Sequence, residues 1–147
     1  MKKVKYSWED LESDYQILVR KIRRSKFNPA TIIGMARGGL TISVKLSHRL
    51  HKPLMIVSCK TYDNNSKSMN TALLNSSYTV PLQSPVLIVD EIADSGKTLN
   101  IVAEHFKSLG VDVRTATLLY KKHSITKPNY YVREVGDDSW TIFPWEV

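Results

Sequence analysis

Pro85-Val86-Leu87-Ile88-Val89-Asp90-Glu91-Ile92-Ala93-Asp94-Ser95-Gly96-Lys97-Thr98-Leu99 is the stretch whose reading decides the fold. Val86 to Val89 is an unbroken apolar run with two valines, which predicts a short strand buried on both faces of a parallel sheet. Charge ends it: Asp90 and Glu91 sit where the strand is expected to stop, and Asp94-Ser95-Gly96 reads as a turn. Leu99, Val102, Ala103, Phe106 and Leu109 then recur at helical spacing until Gly110 closes a helix. A strand, a tight polar loop and a helix in that order aim backbone N–H groups and the positive end of the helix dipole at one spot. Ser95 and Thr98 add hydroxyl donors there and Lys97 a full charge, so the expected ligand carries a phosphate.

Gly96-Lys97-Thr98 is also the tail of a nucleoside-triphosphate P-loop, as in a small kinase. That motif needs a glycine five residues before Gly96, and the position holds Glu91. Two carboxylates there would repel triphosphate oxygens. They suit instead the two hydroxyls of a ribose, or Mg²⁺ held partly through water. A diol grip beside a phosphate cradle points to a ribose 5-phosphate. Acidic residues that merely end a strand above an ordinary helix cap would explain one or two of these positions, not the set.

Outward from this stretch the same unit recurs. Thr31-Ile32-Ile33-Gly34-Met35-Ala36 predicts a second buried strand, followed by the charged turn Arg37-Gly38-Gly39 and a helix reaching about His51. Glycines let the turn come close to a ligand, and Arg37 offers a fork matched to phosphate oxygens. Pro53 to Val57, Val113 to Leu119 and the edge segment Tyr130-Tyr131-Val132 predict further strands. Ser7 is placed to cap a helix with apolar positions Leu11, Tyr15, Leu18, Val19 and Ile22, ending before Asn28-Pro29, with Trp8 read as a packing residue. Between them lies a polar, turn-rich segment of about residues 60–79, too long for an ordinary connection and read as a lid. Apolar strands alternating with helical patterns give an α/β domain, a mostly parallel twisted sheet flanked by helices. Its charged loops cluster at strand C-termini, where such folds bind ligands.

The 147 residues make a single domain, 1–147, large enough for a conventional core. No apolar run approaches a membrane span and no signal peptide is recognisable, so a cytoplasmic protein without membrane attachment is expected. Cys59, the one cysteine, rules out an internal disulfide and reads as a buried inert thiol. His48 and His51 have a metal-pair spacing but no evident third ligand, and are read as surface or interface residues. The net charge of +7 is concentrated early, with eight Lys or Arg against four Asp or Glu in residues 1–26. Without aromatic interleaving or a binding motif, it reads as a solvated helix face and a field that attracts a polyanionic substrate, and no nucleic acid is expected.

Val-Leu-Ile-Val-Asp-Glu-Ile-Ala-Asp-Ser-Gly-Lys-Thr resembles the phosphoribosyl-pyrophosphate signature of the type I phosphoribosyltransferases: four apolar residues, two acidic, two mostly apolar, then Asp-Ser/Thr-Gly-x-Thr. Lys121, Trp140 nineteen residues later and a Pro-Trp beyond extend the likeness to the bacterial xanthine-guanine group over nearly the whole chain. The resemblance implies transfer of ribose 5-phosphate from phosphoribosyl pyrophosphate to a 6-oxopurine (guanine, xanthine or hypoxanthine, unranked) in purine salvage, with Mg²⁺ and in a homodimer or homotetramer. It implies 5′-phosphate binding by Asp94, Ser95, Gly96, Lys97 and Thr98. The ribose hydroxyls and Mg²⁺ fall to Asp90 and Glu91, whose Asp-Glu order leaves the division of labour open.

The same likeness places Arg37 and Gly38 on pyrophosphate, with a cis peptide between Ala36 and Arg37. A hood over pyrophosphate usually carries Ser-Tyr, nearly matched by Thr61-Tyr62, and in some relatives a basic residue, for which Lys67 stands. The C-terminal segment of about residues 121–147 implies a base site: Lys121 to the 6-oxo oxygen, Trp140 stacked on the ring, Thr141 reading the 2-position through its backbone. Asp94 is the implied general base at N7. The rival within this fold is a non-catalytic regulator that senses phosphoribosyl pyrophosphate and binds nucleic acid; a base pocket argues against it.

Overall fold

The computed structural model describes residues 1–59, 72–73 and 82–147. Its elements run β1 (Lys2–Lys5), α1 (Trp8–Arg24), β2 (Thr31–Ala36), α2 (Leu40–Leu50), β3 (Leu54–Ser58), β4 (Ala72–Leu73), β5 (Val86–Ala93), α3 (Lys97–Ser108), β6 (Val113–Lys121), β7 (Tyr130–Val135) and β8 (Ser139–Ile142), with a final 3-10 turn over Pro144–Glu146. Among the described residues these strands form a six-stranded sheet of order β4-β3-β2-β5-β6-β7 and a separate pair, β1 with β8. Every neighbouring pair is parallel except β3 with the two-residue β4. No helix among the described residues is long and apolar enough to cross a membrane.

Alternation along the central strands explains why their apolar runs are unbroken. Ile32, Leu87 and Val89 face a core shared with Leu18, Ile22 and Leu46, while Ile33, Met35, Val86 and Ile88 face one shared with Leu99, Val102 and Phe106. Thus α1 and α2 cover one face and α3 the other, so both sides of β2 and β5 must be apolar. The N-terminus of α1 is a full capping box: Ser7 Oγ accepts from the Asp10 N–H at 3.0 Å and Asp10 accepts from the Ser7 N–H at 2.8 Å.

Three sequence expectations need correction. The signature strand does not stop at Val89. It continues through Asp90-Glu91-Ile92 to Ala93, because β6 is long enough to keep pairing up to Ala93 beside Tyr120. Cys59 is half-buried rather than buried, although desolvation still pushes its thiol up. Trp8 is 55% exposed and touches one aromatic ring, that of Trp145 at 6.0 Å, so it closes little of the core.

The N-terminal lysines, read with α1 as part of a solvated helix face, form β1 and pair with β8 in register from Lys2 with Ser139 to Lys5 with Ile142. A buried polar cluster locks this unit to the main sheet. Asp14, 1% exposed, accepts from Tyr6 Oη at 2.7 Å and from Arg133 Nε of β7 at 2.9 Å, and Arg133 also reaches Asp10 at 3.1 Å. Burial and the bond to Asp14 push the Tyr6 hydroxyl far above its ordinary range.

Candidate active site

The sheet order itself locates the site. Read by chain order, the parallel strands run 2-1-3-4-5, so connections leave in opposite directions from β2 and β5. A crevice opens outside the C-terminal ends of two such strands. Here the β2–β5 pairing ends at Gly34 with Val89, while β2 continues beside β3 to Ala36 and β5 beside β6 to Ala93. Into that divergence fall the two loops singled out from the sequence.

The Arg37-Gly38-Gly39 turn lies directly against β5. A Cβ on Gly38 would sit 1.9 Å from Glu91 Oε1, and one on Gly39 would sit 2.7 Å from the Val89 carbonyl and 2.8 Å from that of Met35. At Gly39 the close atoms are backbone, so only hydrogen fits there, whereas at Gly38 a methyl would displace the Glu91 carboxylate. The Ala36–Arg37 peptide is cis, as the resemblance implied, and the Arg37 side chain is exposed. Asp90 and Glu91 are half-buried beside this turn, and the Glu91 N–H donates to Asp90 Oδ1 at 2.9 Å. Burial, then the hydrogen bond and charge of Glu91, push the Asp90 carboxyl well above the usual carboxylate range. A diol or a divalent cation placed between these neighbouring acids would relieve that crowding of charge.

Asp94-Ser95-Gly96 turns into α3. Gly96 takes φ +77°, and a Cβ there would meet Ser124 Oγ at 2.2 Å. The loop after β6 closes over this turn, with the Ile125 N–H donating to the Ser95 carbonyl at 2.9 Å. Ser95 and Lys97 remain exposed and Thr98 half-buried, and the Lys97 N–H meets Ser95 Oγ at 3.3 Å. Neither α2 nor α3 has a side-chain hydrogen bond at its N-cap, in contrast to α1. The first amide of each is taken, Leu40 N–H by the Arg37 carbonyl at 3.1 Å and Lys97 N–H by Ser95 Oγ, and the next amides of the first turn are left for a ligand.

A pocket beside this loop is lined by Glu91, Ile92, Asp94, Lys121, Trp140, Thr141, Phe143 and Glu146. The structure thus brings Lys121, Trp140, Thr141 and Asp94, which are far apart in sequence, to one cavity. Lys121 is not a solvated strand end. It is 3% exposed, and its ammonium donates to the Ser139 carbonyl at 2.7 Å and to Asp94 Oδ2 at 3.0 Å. Two of its three protons are committed, and the third is free for a ligand. Trp140, 51% exposed on β8, forms a wall that an entering ring can cover.

Asp94 has a second partner that the sequence reading missed, His123 Nε2 at 2.8 Å from Oδ1. Partial burial works to raise the Asp94 carboxyl, but the hydrogen bonds and charges of Lys121 and His123 outweigh it and hold the group below its ordinary value. Ile92, Phe143 and Glu146 were also missed. The available signal for His123 was its place two residues beyond Lys121, in the loop leaving the same strand.

Thr61, Tyr62 and Lys67 lie outside the described residues. His48 sits in the last turn of α2 and His51 caps it at φ 54°; among the described residues no group of three or more His, Cys, Asp or Glu is arranged to hold a metal. Asp90 and Glu91 alone fit a hard cation that takes its other oxygens from substrate and water.

Comparison with known proteins agrees with this fold. Residues 7–147 match the family model for the phosphoribosyl transferase domain. A curated relative, the xanthine-guanine phosphoribosyltransferase of Cereibacter sphaeroides, is 27% identical over 96% of this chain and 85% of its own length. Among solved structures, the purine phosphoribosyltransferase of Pyrococcus horikoshii is 35% identical with a TM-score of 0.78, covering 99% of this chain and 94% of that one. The xanthine-guanine-hypoxanthine enzyme of Helicobacter pylori, 21% identical, shares the fold at a TM-score of 0.81 over 99% of this chain and 94% of that one. The chain belongs to the type I phosphoribosyltransferase family, as a pentosyltransferase of its purine branch.

Proposed function

We propose that the protein transfers the 5-phosphoribosyl group of phosphoribosyl pyrophosphate to N9 of a 6-oxopurine, releasing pyrophosphate, as in purine salvage. The observation that carries this reading is the buried Lys121 ammonium at one end of a pocket walled by Trp140. An aromatic face accepts any purine, whereas an ammonium at one edge favours an oxygen over the amino group that adenine presents there. The Cereibacter and Helicobacter relatives are named for xanthine, guanine and hypoxanthine, which is consistent with that selection.

In this reading the phosphate end of the sugar sits at Ser95, Gly96, Lys97 and Thr98, against the amides opening α3. Asp90 and Glu91 grip the ribose hydroxyls, which donate to their carboxylates. The same two carboxylates would hold Mg²⁺, which when bound neutralises charge on the pyrophosphate. Arg37 and the backbone amides near Gly38 stabilise the negative charge that grows on the leaving group as the C1′–O bond breaks. Asp94 receives the N7 proton of the base as N9 bonds to C1′. Lys121 favours the ionised form of Asp94, keeping it ready to accept. Thr141 follows Trp140 along the pocket wall and offers its backbone to the 2-position.

Parallel product assays with guanine, hypoxanthine, xanthine and adenine, each with phosphoribosyl pyrophosphate and Mg²⁺, test the reading. Nucleotide should form from one or more of the 6-oxopurines and at least 100-fold more slowly from adenine, the scale set by a site whose buried donor is left unpaired. Preferential use of adenine would overturn the base assignment.

A further inference from the structure

Asp94 is held from both sides, and the second holder has no part in the steps above. Oδ2 faces Lys121 Nζ at 3.0 Å and Oδ1 faces His123 Nε2 at 2.8 Å. The other ring nitrogen, Nδ1, lies 3.3 Å from Oδ1 of Asp137 in the turn between β7 and β8, and that oxygen also accepts from the His123 backbone N–H at 3.3 Å. An imidazole is therefore strung between two carboxylates. Its side chain is 42% exposed, so water reaches it. The charged groups around it, among the described residues, are Asp94 at the end of β5, Asp137 in the turn, and Lys121 on the far side of Asp94. Lys122 is drawn away to Glu134 at 3.3 Å.

We propose that His123 is a positioning and proton-relay residue for the transfer reaction, taking from Asp94 the proton that the purine loses at N7 and delivering it to solvent. The proposal rests on Asp94 acting as the base. Asp137 holds the ring by its backbone N–H and by a charge contact at Nδ1; in the neutral ring with its proton on Nδ1, the lone pair of Nε2 faces Asp94 Oδ1. Beside an ionised Asp94 the ring nitrogen at Oδ1 donates, which favours the carboxylate as Lys121 does; the tautomer with its proton on Nδ1 instead matches an Asp94 that has just been protonated. Proton transfer then gives an imidazolium between two carboxylates.

The balance closes without a further reactant. The C1′–O bond breaks with its electron pair leaving on pyrophosphate, N9 supplies the pair of the new C1′–N bond, and the N7–H pair returns to the purine ring as its proton goes to Asp94. Oδ1–H passes the proton to Nε2, and the exposed imidazolium loses it to water. Asp94 is a poor final holder, because the buried Lys121 ammonium favours its ionised form. An aqueous exit keeps it available for the next turnover.

The test compares steady-state transfer to guanine over a pH series in the wild type, His123→Gln, His123→Ala and Asp137→Asn. Glutamine can still donate to Asp94 but cannot relay a proton. His123→Gln and His123→Ala should both lose roughly 10- to 100-fold in rate, at or below the low end of general-base effects, with KM for phosphoribosyl pyrophosphate within about twofold. The wild-type rate should fall on the acid side as the ring protonates, the variants should lose that limb, and added imidazole should restore rate to His123→Ala. Asp137→Asn should slow transfer while keeping the acid limb. Rates within twofold of wild type, or a slowed His123→Gln that keeps the acid limb together with a His123→Ala that ignores imidazole, overturn the relay. A wild type inactive on every purine fails the transferase reading itself, whereas an active wild type with either overturning result fails the relay alone.

Discussion

Lys121→Met separates a lysine that selects the base from one that merely supports the fold. Methionine keeps the apolar stem and deletes the ammonium. Loss of the donor orphans the Ser139 carbonyl, at about 1–3 kcal/mol for a buried acceptor. The lost bond to Asp94 costs less than about 1 kcal/mol, because that side chain is 43% exposed and water replaces the partner. Against these stands the desolvation of an ammonium only 3% exposed, several kcal/mol, which the variant no longer bears. These opposing effects nearly cancel, so urea denaturation should show a stability change within about 2 kcal/mol of wild type, where natural domains have about 5–15.

Binding should respond differently to the same substitution. A charge-assisted hydrogen bond to the 6-oxo oxygen contributes about 1.5–3 kcal/mol, so kcat/KM for guanine should fall roughly 10- to 100-fold. The constant for phosphoribosyl pyrophosphate should change little, and discrimination against adenine should shrink. A variant destabilised by more than about 3 kcal/mol with its guanine preference intact would refute the reasoning and make Lys121 a structural residue.

Other consequences are open to direct measurement. Asp94→Asn should lower turnover by about 10²–10⁴-fold, the range for a general base, with only modest loss of sugar-pyrophosphate binding in calorimetry; near-normal turnover removes Asp94 from the role. Gly39→Ala forces a methyl to within 2.7 Å of the Val89 carbonyl, so the turn must shift. It should cost about 1–3 kcal/mol in thermal or urea unfolding and a larger share of activity, and an unaltered variant would contradict the close packing. Asp10 and Asp94 are both held below the ordinary carboxylate value, Asp10 chiefly by Ser7 and then Arg133, Asp94 by Lys121 and His123 against partial burial. Their contribution to stability is therefore full above the ordinary range and lost as pH falls through their lowered values. Acid unfolding of Arg133→Met and of the wild type should converge at low pH; a difference that grows with acid would contradict this sign.

The signature strand, its loop and α3 were legible because their signals are local: an apolar run, an acidic pair, a Gly turn and a 3.6-residue repeat within two dozen residues. The capping box at Ser7 was legible for the same reason. The extension of β5 through Asp90 and Glu91 was not, because polar residues inside a strand look like its end until the long partner β6 is known. Nor was the pairing of Lys2–Lys5 with β8, a lysine-rich segment with little apolar alternation, or the Tyr6–Asp14–Arg133 cluster, whose members come from the link after β1, from α1 and from β7. His123 left almost no trace either: it reaches Asp94 across 29 positions of chain, and a single histidine carries no periodic pattern. The resemblance supplied Lys121 and Trp140; the structure added that the lysine is buried and that its carboxylate is shared.

Phosphorus NMR of phosphoribosyl pyrophosphate with Mg²⁺ and the protein, before and after addition of guanine, is the most direct test of the central claim. The account predicts a substrate that persists without the base. After addition it should be consumed with one inorganic pyrophosphate and one guanosine 5′-monophosphate formed per molecule. A substrate untouched by guanine, hypoxanthine and xanthine alike, or pyrophosphate released at the same rate with no base present, would contradict it.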